Sequence, residues 1–254
     1  MIRSVNTISF LGISIQTFSL LLALGSVGGM IWVLQGVAPE RRSQRFNAGL
    51  GALVASLFGG RMAYVAIHWA YFQTQPAEIV QFWQGGLAWA GALAGGLGGL
   101  LLVSLWQRQP LGEMLDDLWP LFICLGTLVW LGCWLEGLAY GPRIAAWWSL
   151  PAVNEWGQIE QRLPLQLLGA LFSLGLIWAH ERLQARLAES VPGLTGSLGL
   201  AGLAVLMLSV SLLRADLAPA WRGLRLESWA AIGFLGLAIA AILVGLFSKH
   251  RKNV

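Results

Sequence analysis

Long apolar blocks alternate with short polar stretches along this chain, and the blocks have the length of membrane crossings. Each is about 18–25 residues, enough to traverse a hydrocarbon core as a helix rising 1.5 Å per residue. The pattern predicts seven spans, at roughly Thr17–Val37, Ala48–Ala70, Leu87–Trp106, Leu118–Tyr140, Pro164–His180, Leu194–Leu213 and Ser228–Phe247. In lipid every backbone N–H and C=O must be satisfied within the protein, so these blocks should be helices. Strict period-two alternation is absent, which argues against a barrel. A stretch at Ile8–Ile15 reads as a short strand-like or interfacial segment before the first span. The first residues, Met1 to Asn6, precede an apolar stretch without a clear small-residue cleavage site, which reads as a retained first span. The expected fold class is an all-α integral membrane protein with one transmembrane domain over residues 1–254. The longest connection, at about 141–163, carries Trp147-Trp148-Ser149-Leu150-Pro151 and is expected on the outer face. A loop of that length in a tight bundle is more often functional than idle.

Composition strengthens this picture. Charged residues make up 11% of the chain and apolar ones 57%, against roughly 25% charged in soluble domains. The net charge of +4 does not signal nucleic acid, because the basic residues sit in short connections where they set topology. One side receives Arg41, Arg42, Arg45, Arg108, Arg182, Arg186, Lys249, Arg251 and Lys252; the other receives Arg3, Arg143, Arg162, Arg214, Arg222 and Arg225. That bias predicts a cytoplasmic C-terminus and, with seven spans, an external N-terminus. The tail Ser248-Lys249-His250-Arg251-Lys252 reads as an anchor to anionic lipid. Many of the 14 Trp residues fall near the two expected boundaries, where amphipathic indoles settle. Cys124 and Cys133 are nine apart on one expected helix and lie on opposite faces, so they cannot pair with each other there. No metal-ligand spacing is present, and no cofactor is implied.

Against this background Arg61 stands out. It lies within the apolar run Leu57-Phe58-Gly59-Gly60-Arg61-Met62-Ala63-Tyr64-Val65. A guanidinium at membrane depth costs at least about 2.5–3.5 kcal/mol and normally faces a polar cavity or a partner. The alternative is that it snorkels to the nearer headgroups. Glu136, near the same expected boundary, is a candidate ion-pair partner; an exposed boundary carboxylate is the other reading. Gly91, Gly95 and Gly99 recur every fourth residue and so share a helix face. Such a face admits a close helix neighbour, or opens room for a lipid headgroup or acyl chain. His68 and His180 are expected at opposite span ends and cannot form one site.

Several of these segments, taken in order, resemble the prolipoprotein diacylglyceryl transferase family. Phe10-Leu11-Gly12-Ile13-Ser14-Ile15-Gln16-Thr17-Phe18 resembles the family's Leu-Gly-x-x-x-Ile-x-x-Tyr opening. Gly59-Gly60-Arg61-Met62-Ala63-Tyr64-Val65 resembles Gly-Ala-Arg-Leu-x-Tyr-Val. The segment Trp83-Gln84-Gly85-Gly86-Leu87-Ala88-Trp89-Ala90-Gly91-Ala92-Leu93 resembles the Trp-x-Gly-Gly-x-Ser-Phe-His-Gly-Gly motif. Leu131-Gly132-Cys133-Trp134-Leu135-Glu136-Gly137 with Tyr140-Gly141 resembles the signature, Arg162-Leu163-Pro164-Leu165-Gln166-Leu167 resembles Arg-His-Pro-x-Gln-Leu-Tyr-Glu, and Arg214-Ala215-Asp216 resembles an Arg-Gly-Asp tail. The resemblance implies a seven-span bacterial inner-membrane protein that handles phosphatidylglycerol.

It also exposes departures. The family's motif His falls at Ala90, its signature Arg at Trp130, its His before Pro at Leu163, and its Tyr-Glu at Leu168-Gly169. The sixth-span Arg-Phe and Glu fall at Met207-Leu208 and Ser211. The family moves a diacylglyceryl group from phosphatidylglycerol to a cysteine thiol. That chemistry needs help forming a thiolate, whose parent thiol has a pKa of about 8.5, and cations to hold the phosphate. Loss of a general base alone costs about 10²–10⁴-fold. The expectation is therefore a catalytically silent relative, with no catalytic residue assigned. It would bind a phosphatidylglycerol-like phospholipid through Arg61, Tyr64, Gly91, Gly95, Gln166 and Arg214, or serve as an accessory subunit of a larger membrane complex. The alternative is an active but divergent transferase that holds phosphate with Arg214 and the outer loop. A small transporter is a third reading, for which broken helices and midplane charges are largely missing.

Overall fold

Where the sequence is long and apolar the backbone is helical. The computed structural model describes residues 7–10, 13–82, 85–154, 156–187 and 191–252. The helices are α1 (Thr17–Gly36), α2 (Arg42–Ile67), the single turn α3 (Trp69–Phe72), α4 (Trp89–Gln107), α5 (Leu111–Leu135), α6 (Leu165–Leu187), α7 (Leu194–Leu213) and α8 (Leu226–Lys252). Six of the described helices, α1, α2, α4, α5, α7 and α8, are long and apolar enough to cross a membrane. Helix α6 is 23 residues long, but its last turns carry His180, Glu181, Arg182, Gln184 and Arg186, and it falls outside that set. Each of the seven expected spans thus corresponds to a long helix, six of which meet both criteria.

Three antiparallel hairpins decorate the ends: β1 (Thr7–Phe10) with β2 (Ile13–Gln16), β3 (Leu150–Val153) with β4 (Ile159–Arg162), and β5 (Ala220–Trp221) with β6 (Leu224–Arg225). The strand-like reading of Ile8–Ile15 corresponds to the first of these. Leu11 and Gly12 of the opening motif, Trp83 and Gln84 of the third-span motif, and Met1 to Asn6 lie outside the described residues.

Two helices begin earlier than the apolar pattern predicts. Helix α2 starts at Arg42 and not Ala48, and α5 starts at Leu111 and not Leu118. The added turns hold Arg45, Glu113, Asp116 and Asp117, residues with the polarity of a loop. They stay helical because they find partners across the bundle. Arg45 Nε donates to Asp117 at 2.6 Å, and the Asp116 carboxylate accepts the N–H groups of Gly193 and Gly196 at the start of α7, both at 2.6 Å. A carboxylate there satisfies orphan donors and complements the helix dipole. Arg45, counted from sequence among the basic residues of a short cytoplasmic connection, is fully buried. At its far end α5 stops at Leu135, before Gly137 and Ala139, which take left-handed φ values of 58° and 55°.

Helix α2 lies along α4, α1 along α5, α7 along α8, and α6 against α5 and α7. Three apolar clusters fill the spaces between them. One joins Met30, Val33, Ala48, Leu100 and Leu118, a second joins Trp119, Ile123, Leu93 and Leu200, and a third joins Trp130, Ala170, Leu206 and Val210. Outward faces carry apolar side chains such as Phe58, Leu102 and Val244, as a lipid-facing surface requires. The bundle has two chemically different ends. One gathers Arg41, Arg42, Arg45 and the starts of α5 and α7; the other carries the end of α2, the β3–β4 hairpin and the α7–α8 turn.

Candidate functional site

At the hairpin end, α2 presents Arg61 and Tyr64 three residues apart, hence on one face. The chain then turns back through α3 and a short 3-10 turn at Pro76–Val80, which brings Glu78, Ile79, Gly85 and Gly86 over that face. Arg61 holds these four residues. Its Nε donates to Ile79 O at 2.8 Å, and its Nη1 to Gly85 O at 2.8 Å and Gly86 O at 3.1 Å. Its Nη2 donates to Glu78 O. Four of the five N–H groups of a guanidinium are thereby spent on backbone carbonyls. The guanidinium carbon also lies 5.2 Å from the Phe72 ring centroid and 5.9 Å from that of Tyr64, so ring faces supply further electrostatic support.

Glycine is required here. Gly85 and Gly86 have φ values of 88° and 74°, and a Cβ on Gly86 would come within 2.7 Å of the Tyr64 ring and 2.8 Å of Arg61 Nη1. The Ala88 N–H donates to Gly60 O at 3.0 Å, tying the start of α4 to the same turn of α2. Arg61 is 8% exposed. The hydrogen bonds described for it run to backbone carbonyls, which form a cradle around the guanidinium. Such carbonyl pairing is one of the ways a guanidinium is tolerated at depth.

The Gly91 and Gly95 face is occupied by helix. A Cβ at Gly91 would lie 2.3 Å from Gly59 O, and one at Gly95 would lie 2.2 Å from Ala55 O. The stripe therefore serves close approach of α4 to α2 and does not open the lipid cavity that was the alternative reading. Gln166 is also internal: it is fully buried, and its Nε2 donates to Leu138 O at 2.7 Å, joining the start of α6 to the end of α5.

Arg214 sits just past the end of α7. It forms a two-pronged contact with Asp216 and donates to Glu227 Oε2 at 2.6 Å. Arg225 donates to Asp216 Oδ1 at 3.2 Å and to the carbonyl oxygens of Arg214 and Asp216. Burial opposes charge on Arg214, yet Asp216 and Glu227 outweigh it and raise its pKa. Burial would likewise raise the Asp216 carboxyl, but Arg214 and Arg225 more than offset that and hold it below the ordinary carboxylate range. A carboxyl lowered on folding contributes stability above its unfolded pKa, and that contribution is lost as pH falls through the folded value. The melting temperature of the wild type should therefore drop below about pH 4. Asp216→Asn should melt lower at neutral pH and respond less to acid, as thermal melts across pH 3–7 would register; equal acid sensitivity in the two proteins would refute the clasp. Arg162 is similarly engaged. It donates to Gly141 O at 3.1 Å, pairs with Glu160, and stacks 4.2 Å from the Tyr140 ring centroid.

The positions where the resembling family's motifs carry polar groups now have a structural setting. Trp130 is buried in the third apolar cluster, with Met207 packed against it. Its indole fills the space over Gly169, where a Cβ would meet ring carbons at 2.6 Å and 2.7 Å. Ala90 borders an open apolar groove of about 300 Å³ between α4 and α8, lined also by Ala230, Gly233, Phe234 and Leu237. Ser211 pairs with Ser228 through hydroxyls 2.8 Å apart. No group of three or more metal-ligating side chains occurs among the described residues.

A polytopic helical membrane protein, with polar clasps at the hairpin end and a small-residue seam between α2 and α4, is the class these observations define. The family described as prolipoprotein diacylglyceryl transferase matches residues 6–244. The chain belongs to that family. It is 26% identical over 224 residues to the phosphatidylglycerol–prolipoprotein diacylglyceryl transferase of Chlamydia trachomatis, a match covering 83% of this chain and 80% of that protein. With the transferase 2 of Streptomyces coelicolor it shares 28% identity over 238 residues, covering 89% of this chain and 71% of the relative. The relative from Thermosynechococcus vestitus is 28% identical over 141 residues, and there the match spans about half of each protein, 54% of this chain and 52% of the relative.

Proposed function

We propose that this chain is a catalytically silent member of its family, one that keeps the bundle and a place for phospholipid but not the transfer chemistry. The observation that carries the reading is the packing of Trp130 over Gly169, beside Met207. At these positions the family pattern has Arg, Glu and Arg. Transfer requires a sulfur–carbon bond to form while the carbon–oxygen bond to the phosphate breaks. Both partners in that step carry negative charge, and preorganised cations and donors lower its barrier. Here an indole and apolar neighbours occupy the space, and the buried Arg61 and Arg162 and the half-buried Arg214 are committed to carbonyls or carboxylates.

Lipid contact in this reading moves from Arg61 to the groove beside Ala90, which opens between two spanning helices and suits an acyl chain of a phosphatidylglycerol-like lipid. The hairpin end faces outward, the C-terminus lies in the cytoplasm, and the membrane is the bacterial inner one. That orientation follows from the arginine bias. The exposed Trp147, Trp156 and Trp221 of the hairpin end suit the outer interface. The whole chain acts as one membrane domain, with the 141–163 region as its outer-face extension, and an accessory place in a larger membrane complex is compatible with this.

The test is direct. Purified protein is incubated with phosphatidylglycerol and a peptide bearing the prolipoprotein cysteine, and the peptide is weighed by mass spectrometry. The thiol is expected to remain unmodified; a diacylglyceryl mass increase would establish the divergent-transferase alternative. In parallel, Ala90→Trp, which fills the groove, should reduce co-purified phospholipid at least about threefold while leaving the melting temperature within a few degrees, since the indole enters an open groove of about 300 Å³. Unchanged lipid content would remove the groove from the proposal.

A further inference from the structure

The arginine-rich end of the bundle holds a cavity that neither the family chemistry nor the proposal above uses. Its volume is about 210 Å³, and its walls include Arg41, Glu113, Asp116, Asp117, Gln184 and Thr195. Since liquid water occupies about 30 Å³ per molecule, the space exceeds that of a single structural water. Helix starts α2, α5 and α7 and the end of α6 converge on it.

The polar inventory of this cavity is lopsided. Asp116 is consumed by the N–H groups of Gly193 and Gly196. Asp117 uses Oδ2 for Arg45, and Glu113 uses Oε2 for Arg41 at 3.0 Å. Each of the latter two keeps a second oxygen with acceptor capacity. Thr195 is 3% exposed, and its hydroxyl has no hydrogen-bond partner among the described residues although it lines the cavity. A buried hydroxyl left unmade costs about 1–3 kcal/mol, so a ligand that satisfies it is favoured. Behind the wall, Nη1 and Nη2 of the fully buried Arg45 have no hydrogen-bond partner among the described residues, but Arg45 does not line the cavity. The lining itself offers the two spare carboxylate oxygens and the Thr195 hydroxyl, while Arg41, its side chain 52% exposed, stands at the rim as a donor.

We propose that this cavity binds a phosphoethanolamine zwitterion. The primary ammonium, with three N–H donors, takes the spare oxygens of Glu113 and Asp117 and the Thr195 hydroxyl; the phosphate meets Arg41 at the rim. A quaternary ammonium has no N–H to give and would leave the same acceptors unmet. The site lies at the opposite end of the bundle from Arg61, and it stands or falls independently of catalytic silence.

The experiment uses the full-length protein in detergent, titrated with dioctanoyl phosphatidylethanolamine, dioctanoyl phosphatidylcholine and free phosphoethanolamine, with binding read by intrinsic tryptophan fluorescence. The wild type should favour the ethanolamine lipid over the choline lipid by at least about tenfold, the scale of one charge-assisted hydrogen bond. Thr195→Val and Glu113→Gln should each abolish that preference. Because the Thr195 hydroxyl has no hydrogen-bond partner among the described residues, Thr195→Val should melt at the wild-type temperature without ligand, whereas Glu113→Gln, which removes the charge facing Arg41, should melt somewhat lower and is read on its folded fraction. Equal binding of the two lipids, or a preference that survives in both variants, would overturn the proposal. Saturable binding of free phosphoethanolamine, lost in Thr195→Val, would uphold the zwitterion site and assign it a soluble source; its absence beside a lipid preference lost in both variants would assign the site to a lipid headgroup.

Discussion

Arg61→Ala should destabilise the protein by on the order of 4 kcal/mol and lower its melting temperature by roughly 10 °C, while leaving bound phospholipid in the surviving folded fraction unchanged. The magnitude follows from what the guanidinium does. It donates to the carbonyls of Glu78, Ile79, Gly85 and Gly86, and removing it strands those acceptors over a cavity bordered by Phe72 and Tyr64. Arg61→Lys should recover less than half of the loss. An ammonium keeps the charge but presents its donors from one point, and cannot span those carbonyls as a planar fork does. Thermal melts monitored by far-ultraviolet circular dichroism, with lipid content measured on the same samples, separate this from a headgroup role. A residue that held lipid phosphate would show the reverse, a normal melt and lost lipid.

Gly95→Leu is the second large effect, with an expected cost above about 3 kcal/mol. A Cβ at Gly95 would already stand 2.2 Å from Ala55 O and 3.1 Å from Gly59 Cα, both of them backbone atoms of α2 that cannot swing aside. Overpacking by even one carbon typically costs about 1–3 kcal/mol, and leucine adds three more. Relief requires α4 to move away from α2, which would also draw the Ala88 N–H from Gly60 O. Gly98 on the same helix provides the control, because a Cβ there would meet nothing within 4 Å. Gly98→Leu should melt within a degree or two of the wild type. A pair of matching melting curves for the two leucine variants would refute the seam.

The spans were legible because lipid imposes one rule, length with apolarity, that a single sequence can satisfy or fail on its own. The starts of α2 and α5 were not, because Arg45, Glu113, Asp116 and Asp117 look like loop residues until their partners are known, and those partners lie 72 to 80 positions away. Spacing carried a faint signal: Arg41 and Arg45 are four apart, as are Glu113 and Asp117, so each pair shares a helix face. Arg61 was conspicuous as a buried charge, but its role was hidden, since its partners are carbonyls and every residue has one. A side-chain acceptor such as Glu136 is visible in a sequence; a loop that folds back to present four oxygens is not. The glycine stripe was ambiguous for a similar reason. Spacing placed Gly91, Gly95 and Gly99 on one face, and only the path of α2 decides what fills it. The apolar residues at motif positions were legible as losses, whereas the packing of Trp130 over Gly169 became evident only when α5 and α6 were seen side by side.

The contact between Asp116 and the start of α7 sets an order of events during synthesis. Asp116 leaves the ribosome about eighty residues ahead of Gly196, the later of its two donors. Until α7 arrives, the first turns of α5 carry a carboxylate whose natural place is water. That segment should therefore wait at the membrane surface while the apolar remainder of α5 inserts, and be drawn into the bundle when α7 brings its N–H groups. Nascent chains arrested before residue 193 should leave the start of α5 open to aqueous labelling through a cysteine placed at the neighbouring Leu115, which packs against Gly196, with Asp116 kept; chains arrested well beyond α7 should protect it.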